Sequence, residues 1–224
     1  MPSKWLYGDA WEYFPIAFGQ IWGLANGSRV AVHNIFDPLP DFMAQADLIF
    51  VDPPWNLGNL NTFYTKAGRK DYLASFVPFA DALFRRIAKI SPQTCYIEIG
   101  NQNVDNFIDR MGLLYPVLQR WPVTYYRKHP TWIIRGSLSP TPLDLTGIDE
   151  ACCIQIIAQS EIYETIGDLC MGRGLVGLAA YAAGKPFVGT ELNPRRLAVL
   201  LQKLAQRGAT VEIIKETPCP TEPF

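Results

Sequence analysis

Leu48-Ile49-Phe50-Val51 runs directly into Asp52-Pro53-Pro54-Trp55, and that junction constrains the fold more than any other stretch of the chain. Four consecutive apolar residues form the kind of short strand that a parallel sheet buries on both faces. Two prolines cannot continue it, because each lacks a backbone donor. The tetrad therefore stands at the strand's carboxyl end, where open α/β sheets bind their ligands. Fixed φ at both prolines makes the carbonyls of residues 52 and 53 project from a stiff segment. A stiff carbonyl beside a carboxylate is a two-acceptor clamp suited to an amino group on a planar ring, and Trp55 offers a face for stacking. A plain strand-end turn is the alternative reading of the tetrad alone.

At 224 residues the chain fits one large domain, or a domain with a small appendage. Hydrophobic residues make up 49 %, enough for a sizeable core. No stretch approaches the about twenty apolar residues of a membrane span, and the N-terminus lacks a signal-peptide core, so a soluble cytoplasmic protein without membrane contact is expected. The cysteines, Cys95, Cys152, Cys153, Cys170 and Cys219, form no Cys-x-x-Cys pair and have only His33 and His129 to join them, so reduced thiols and no metal site are expected. A net charge of −1 argues against nonspecific adhesion to nucleic acid, but the charges are unevenly placed. Between Pro53 and Lys70 the only charges are Lys66, Arg69 and Lys70, and from Arg110 to Leu143 there are five basic residues, among them Arg127, Lys128 and Arg135, and no acid. Brought to the strand ends, these stretches make a positive rim that a phosphate backbone would favour.

Taken in order, residues 1–28 form an aromatic-rich segment packed on the domain. Trp11, Phe14, Phe18 and Trp22 recur at helical spacing and predict a helix, closed by the turn Asn26-Gly27-Ser28. Residues 29–33 read as a strand, with Asn34 opening the loop after it. The polar stretch 56–70 reads as a long loop. From Asp71 as N-cap a helix is expected to run to Lys89, kinked or delayed by Pro78, before a strand over 94–99. A short helix over 104–111, a strand over 121–127, a substrate-contacting loop over 128–150 with Trp132 as a candidate stacker, and an apolar strand over 151–158 follow.

A second constellation begins at Gly167-Asp168 and continues through Gly172-Arg173-Gly174-Leu175-Val176-Gly177 into a helix ending at Gly184. The next strand closes on Glu191, Asn193-Pro194 opens a helix with a cap and a first-turn proline, and residues 209–214 form the last strand. Glycines let the backbone approach a ligand, and a carboxylate one strand on can accept bonds from two ribose hydroxyls. The spacing is formally a dinucleotide fingerprint, which keeps an NAD-binding oxidoreductase open. Asp168 argues otherwise, since a carboxylate there repels a pyrophosphate and suits a cationic amino-acid moiety. So does position: a nicotinamide enzyme usually begins with its glycine loop.

Asp168-x-x-x-Gly172-x-Gly174 followed by Glu191-Leu192-Asn193, together with the earlier Asp52-Pro53-Pro54-Trp55, resembles the permuted beta group of S-adenosylmethionine-dependent amino-methyltransferases, which modify adenine N6 or cytosine N4 in nucleic acid. The resemblance covers about residues 29–214. It implies a Rossmann-like class I methyltransferase fold, α/β, with a mostly parallel seven- or eight-stranded sheet and helices on both faces. The catalytic half would be 29–158 and the cofactor half 159–214 of a domain over 29–224. Family roles fall on Asp52, Pro53, Pro54 and Trp55 for the target base, and on Asp168, Gly172, Gly174, Glu191, Asn193 and Asn34 for S-adenosyl-L-methionine. The implied activity is a site-specific DNA methyltransferase, adenine N6 preferred. Cytosine N4, RNA adenosine and an inactive nucleic-acid-binding subunit of the same fold are the alternatives. Trp replaces the commoner Tyr, Met171-Gly172-Arg173-Gly174 replaces a Phe-x-Gly-Ser-Gly-like loop, and no separate recognition domain is visible. Target recognition then falls to 56–70 and 128–150, or to a second copy or partner subunit.

Overall fold

The computed structural model describes residues 7–216. Trp5 and Cys219 lie outside them. In chain order the elements are α1 (Ala10–Tyr13), β1 (Gln20–Leu24), β2 (Arg29–Val32), a 3-10 turn (Asp41–Gln45), β3 (Leu48–Val51), α2 (Leu57–Lys66), α3 (Val77–Ile90), β4 (Thr94–Gly100), α4 (Val104–Gly112), β5 (Val117–Tyr125), β6 (His129–Ser137), α5 (Glu150–Ser160), β7 (Ile166–Asp168), α6 (Leu175–Ala182), β8 (Phe187–Glu191), α7 (Pro194–Gln206) and β9 (Val211–Glu216). One nine-stranded mixed sheet has the order β5-β6-β4-β3-β7-β8-β2-β1-β9. Five strands at its centre, β4, β3, β7, β8 and β2, are mutually parallel, and both flanks are antiparallel. The expected seven or eight mostly parallel strands thus become nine, because an antiparallel hairpin closes one edge and β1 with β9 the other.

Alternation along the central strands divides the core in two. Leu48, Phe50 and Tyr96 face the cluster built with α5, α6 and α7, whereas Ile49, Val51, Cys95 and Ile97 face the one built with α3 and α4. Helices therefore cover both faces, and no helix among the described residues is long and apolar enough to cross a membrane.

Five sequence expectations change. The aromatic helix over Trp11–Trp22 reduces to the single turn of α1, because Pro15 cannot donate a helical bond and Gly19 takes φ +84 just before β1. Trp22 is instead a strand residue pointing into the core, 8 % exposed, and Asn26-Gly27 turns β1 back onto β2. The stretch 56–70 is largely helix rather than loop: Asn56 caps α2 through Asn59 N (2.9 Å), and Leu60 and Tyr64, one turn apart, are its two buried anchors. Helix α3 begins at Val77 with Pro78 in its first turn, so there is no kink, and Asp71 pairs with Arg69 instead of capping. The loop over 128–150 contains β6, whose Thr131-Trp132-Ile133-Ile134 segment pairs with β4 and β5. The apolar stretch over 151–158 is α5, not a strand. Cys153, Ile154, Ile157 and Ala158 bury one helical stripe, and a short apolar run does not distinguish the two periods.

Candidate functional site

The tetrad and the glycine loop open at the same sheet edge. β3 pairs in parallel with β7 (Leu48↔Ile166, Ile49↔Gly167), β7 with β8 (Asp168↔Gly189), and β8 with β2 (Val32↔Glu191). Asp52, Asp168, Glu191 and Asn34 consequently stand side by side at the carboxyl ends of four neighbouring strands. The chain leaves β3 toward β4 on one side and β7 toward β8 on the other, so β3/β7 is the switch point of the sheet, the preferred crevice for a ligand.

Asp52 is half-buried, and Trp55 Nε1 donates to its Oδ1 at 2.9 Å. Burial pushes its carboxyl up to about 6, opposed by that hydrogen bond and by the Arg196 charge. Pro53 and Pro54 are buried, which fixes the carbonyls beside it. Trp55 is held from three sides. Its ring lies so close to Gly100 that a Cβ there would come within 3.0 Å of it, Tyr125 meets it edge-on at 5.0 Å, and Asn103 Nδ2 donates to its carbonyl at 2.7 Å. Glycine at 100 thus makes room for the indole.

Asp168 ends β7, 4 % exposed, accepting from Cys170 N at 2.9 Å. Burial foremost, with the charges of Asp52 and Glu191, holds its carboxyl well above the usual carboxylate range, against the Cys170 N–H. Glu191 clasps the glycine loop: Gly172 N donates to Oε2 (2.6 Å) and Asn193 N to Oε1 (2.9 Å). Gly172 and Gly174 have φ +55 and +77, where side chains are strained, and a Cβ on Gly174 would strike Leu200 at 2.5 Å. Asn193 caps α7 through Arg195 N (3.0 Å), and its amide donates to Lys66 O (3.0 Å), so its side chain ties α7 to the end of α2. Asn34 Oδ1 accepts from Tyr64 OH at 3.2 Å. Helix α2 is therefore laid across the strand ends, from Trp55 to Asn193. The Arg196 guanidinium stacks 5.0 Å from Phe63 and within reach of the Gly172 backbone, and neither it nor Tyr64 was legible as a site residue from the sequence.

The basic residues divide. Lys66 ends α2 over the Phe63 ring, Arg69 is bidentate on Asp71 at 3.0 Å, and Lys70 is exposed. Arg127 and Lys128 are exposed in the β5–β6 turn, two and three residues after Tyr125, whose ring meets Trp55. Arg135 does not face a phosphate backbone. It is 3 % exposed, paired with Glu161 at 2.9 Å, and belongs to the interior. Trp132 donates to Asn101 (2.7 Å) and carries Arg120 over its ring at 5.2 Å, away from a stacking role. Arg135→Ala is expected to destabilise the fold by about 3–5 kcal/mol, as removal of one partner of a buried pair does, and thermal melts of the variant check this.

Two further acids converge on Asp52 that the sequence did not single out. Glu98 of β4 and Glu150, first residue of α5, place carboxyl oxygens within 4.8 Å of each other and of Asp52. The available signal was a charge inside Thr94-Cys95-Tyr96-Ile97-Glu98-Ile99, an otherwise buried strand next to the tetrad.

No protein-family model matches the chain, and no curated protein matches it. Solved structures do. The M1.HpyAVI–SAM complex superposes with a TM-score of 0.54 at 13 % identity, over 78 % of this chain and 98 % of that one. TTHA0409 from Thermus thermophilus, named as a DNA modification methylase and complexed with S-adenosyl-L-methionine, gives 0.55 at 15 % identity, over 80 % and 93 %. PvuII DNA methyltransferase, cytosine-N4-specific, gives 0.50 at 11 % identity, over 85 % and 94 %. At these identities the likeness is one of fold: the chain shares the α/β architecture of these proteins.

Proposed function

We propose that the chain is an S-adenosyl-L-methionine-dependent methyltransferase acting on an exocyclic amino group of a nucleic-acid base, adenine N6 in DNA, with the catalytic half 29–158 preceding the cofactor half 159–214. The observation that carries this reading is the shared edge: Asp52 and Asp168 end adjacent parallel strands, with Glu191 on the next. Bound over the carboxyl ends of β7 and β8, beside the β3/β7 switch point, the cofactor would supply an electrophilic methyl group on a sulfonium. The residues fit it. Asp168 is an acid suited to a cationic amino-acid end, Glu191 keeps lone pairs for ribose hydroxyls, and the positive-φ glycines leave the loop backbone bare. The two solved complexes with the same cofactor on this fold support the assignment.

The chain's own part is positioning. Asp52 Oδ2 and the carbonyl of Pro53 accept the two amine hydrogens, Trp55 fixes the carboxylate through Oδ1, and a base flipped out of its stack enters beside the Trp55–Tyr125 pair. Arg127 and Lys128 hold the backbone outside. Cytosine N4 is the second reading, favoured by the PvuII enzyme among the structural neighbours. Labelled cofactor incubated with separate pools of duplex DNA, single-stranded DNA and RNA, followed by nucleoside mass spectrometry, decides among N6-methyladenine, N4-methylcytosine and an RNA product. Calorimetric binding of NAD in place of S-adenosylmethionine would overturn the reading, and binding of neither would leave only a nucleic-acid-binding role.

A further inference from the structure

The clamp does not explain the two acids behind Asp52. Glu98 follows Tyr96 on the β4 face that α5 covers, and there it meets Glu150 in the first turn of that helix. Glu98 is 0 % exposed, no ordinary donor among the described residues reaches either of its carboxyl oxygens, and its side-chain hydrogen bond runs to the carboxyl of Glu150, 6 % exposed, which requires a proton between the two. A leucine would fill position 98 without the desolvation penalty, so packing gives no reason for an acid. Three carboxyl groups within 4.8 Å cannot all be ionised. Burial first, then the charges of Asp52 and Glu150, pushes Glu98 up to about 11, and burial with Asp52 and Asp149 pushes Glu150 up to about 8. The other titratable and charged groups facing the cluster are Tyr125 of β5, Cys153 of α5, Asp168 of β7 and Arg196 of α7.

We propose that Glu98 is a proton-relay residue, and that the line Asp52, Glu98, Glu150 is the way out for the proton that a methylated amine must lose. This rests on the methyltransferase reading. When the amine nitrogen bonds the methyl carbon, the carbon–sulfur electron pair leaves with sulfur and the nitrogen becomes cationic. One N–H bond then breaks, its electrons return to nitrogen, and the proton passes to the Asp52 carboxylate. Glu98 takes that proton on one oxygen while giving its own to Glu150, whose displaced proton leaves beside half-exposed Asp149. One proton moves from amine to water, and the cluster is restored.

The test uses Glu98→Gln, Glu150→Gln and Glu98→Asp in the full chain. Without substrate, infrared spectra at neutral pH should contain a protonated-carboxyl band that Glu98→Gln weakens by one carboxyl group and that Glu150 and Asp168 keep from vanishing. Thermal stability supplies a second readout. Between its ordinary value of 4.5 and about 11 folded Glu98 keeps a proton that the unfolded chain loses, so wild-type stability falls as pH rises, and falls less steeply in Glu98→Gln. In single turnovers, Glu98→Gln should lower the methyl-transfer rate by about tenfold to a hundredfold with cofactor affinity unchanged, and Glu98→Asp should restore part of it. A folded Glu98→Gln with the wild-type rate and pH profile overturns the relay, as does absence of the protonated band. If Glu98→Gln does not fold, Glu150→Gln carries the same expectations. A wild-type chain that methylates no pool overturns the functional reading and the relay with it, whereas an active wild type matched by both glutamine variants overturns the relay alone.

Discussion

Asp52→Ala is expected to lower methyl transfer by about 10²- to 10⁴-fold while S-adenosylmethionine still binds, because the substitution removes one of the two acceptors that orient the amine and the group that takes its proton. The loss has a second component. Trp55 Nε1, bonded to Asp52 at 2.9 Å, is left without its partner, so the indole loses the contact that sets its angle over Gly100. Asp52→Asn keeps an acceptor for one amine hydrogen and should fall between the two. In the wild type, burial raises the Asp52 carboxyl to about 6, so the neutral acid accumulates as pH falls through that value. The rate should then drop about tenfold per pH unit below it, and a pH profile from 5 to 8 would reveal this inflection. Calorimetry with the cofactor, run beside single-turnover methylation, checks the separation of binding from chemistry. Wild-type turnover by Asp52→Ala would remove Asp52 from the reaction.

The site was legible where local chemistry leaves one answer. Prolines at 53 and 54 stop β3, Asn193-Pro194 starts α7 with a side-chain cap, and glycines at 172 and 174 mark a backbone with positive φ. These signals act over a few residues and do not depend on what packs against them. Legibility failed where tertiary context chooses the period. The 151–158 run is equally apolar as strand or helix, and only burial against β5 and α6 makes it α5. Likewise α2 has two buried anchors in ten residues, too few to reveal a helix before the strand ends beneath it are known. Arg135 shows the limit for charge. Its position among basic residues suggested a phosphate contact, but β6 turns it inward onto Glu161 and Tyr96. Strand register, invisible in a charge count, decided the outcome. Glu98 and Glu150 were missed for the same reason, since each reads as an isolated acid until β4 and α5 are packed together.

Glu191 should be the residue whose loss most damages cofactor binding. Both of its oxygens are already engaged from the backbone, by Gly172 N and Asn193 N, so the carboxylate is a brace for the glycine loop as well as a candidate hydroxyl acceptor. Glu191→Ala leaves two amide donors without acceptors in a region where the side chain is 6 % exposed, and each buried orphan costs about 1–3 kcal/mol. A total of about 2–6 kcal/mol corresponds to a fall in melting temperature of roughly 5–20 °C for a domain of this size. The rest of the loop is held by main-chain bonds, Met171 N to Thr190 O (2.9 Å) and Gly174 N to Met171 O (2.7 Å), whereas Gly172 and Gly174 add no side chains and the Glu191 charge faces Arg196 beside Gly172. Affinity for S-adenosylmethionine should therefore drop at least tenfold even at temperatures where the variant remains folded, since every 1.4 kcal/mol lost at the site is a factor of about ten. Glu191→Gln is the sharper probe. It keeps one acceptor oxygen but points an N–H₂ at a backbone N–H, so the brace is half broken while volume is conserved. Thermal melts with and without cofactor, together with calorimetric affinities, separate the two roles. A Glu191→Gln that melts early but binds at wild-type affinity would make Glu191 a brace alone, and ribose recognition would have to come from elsewhere on that edge, with Asn34, two residues past the end of β2, a candidate.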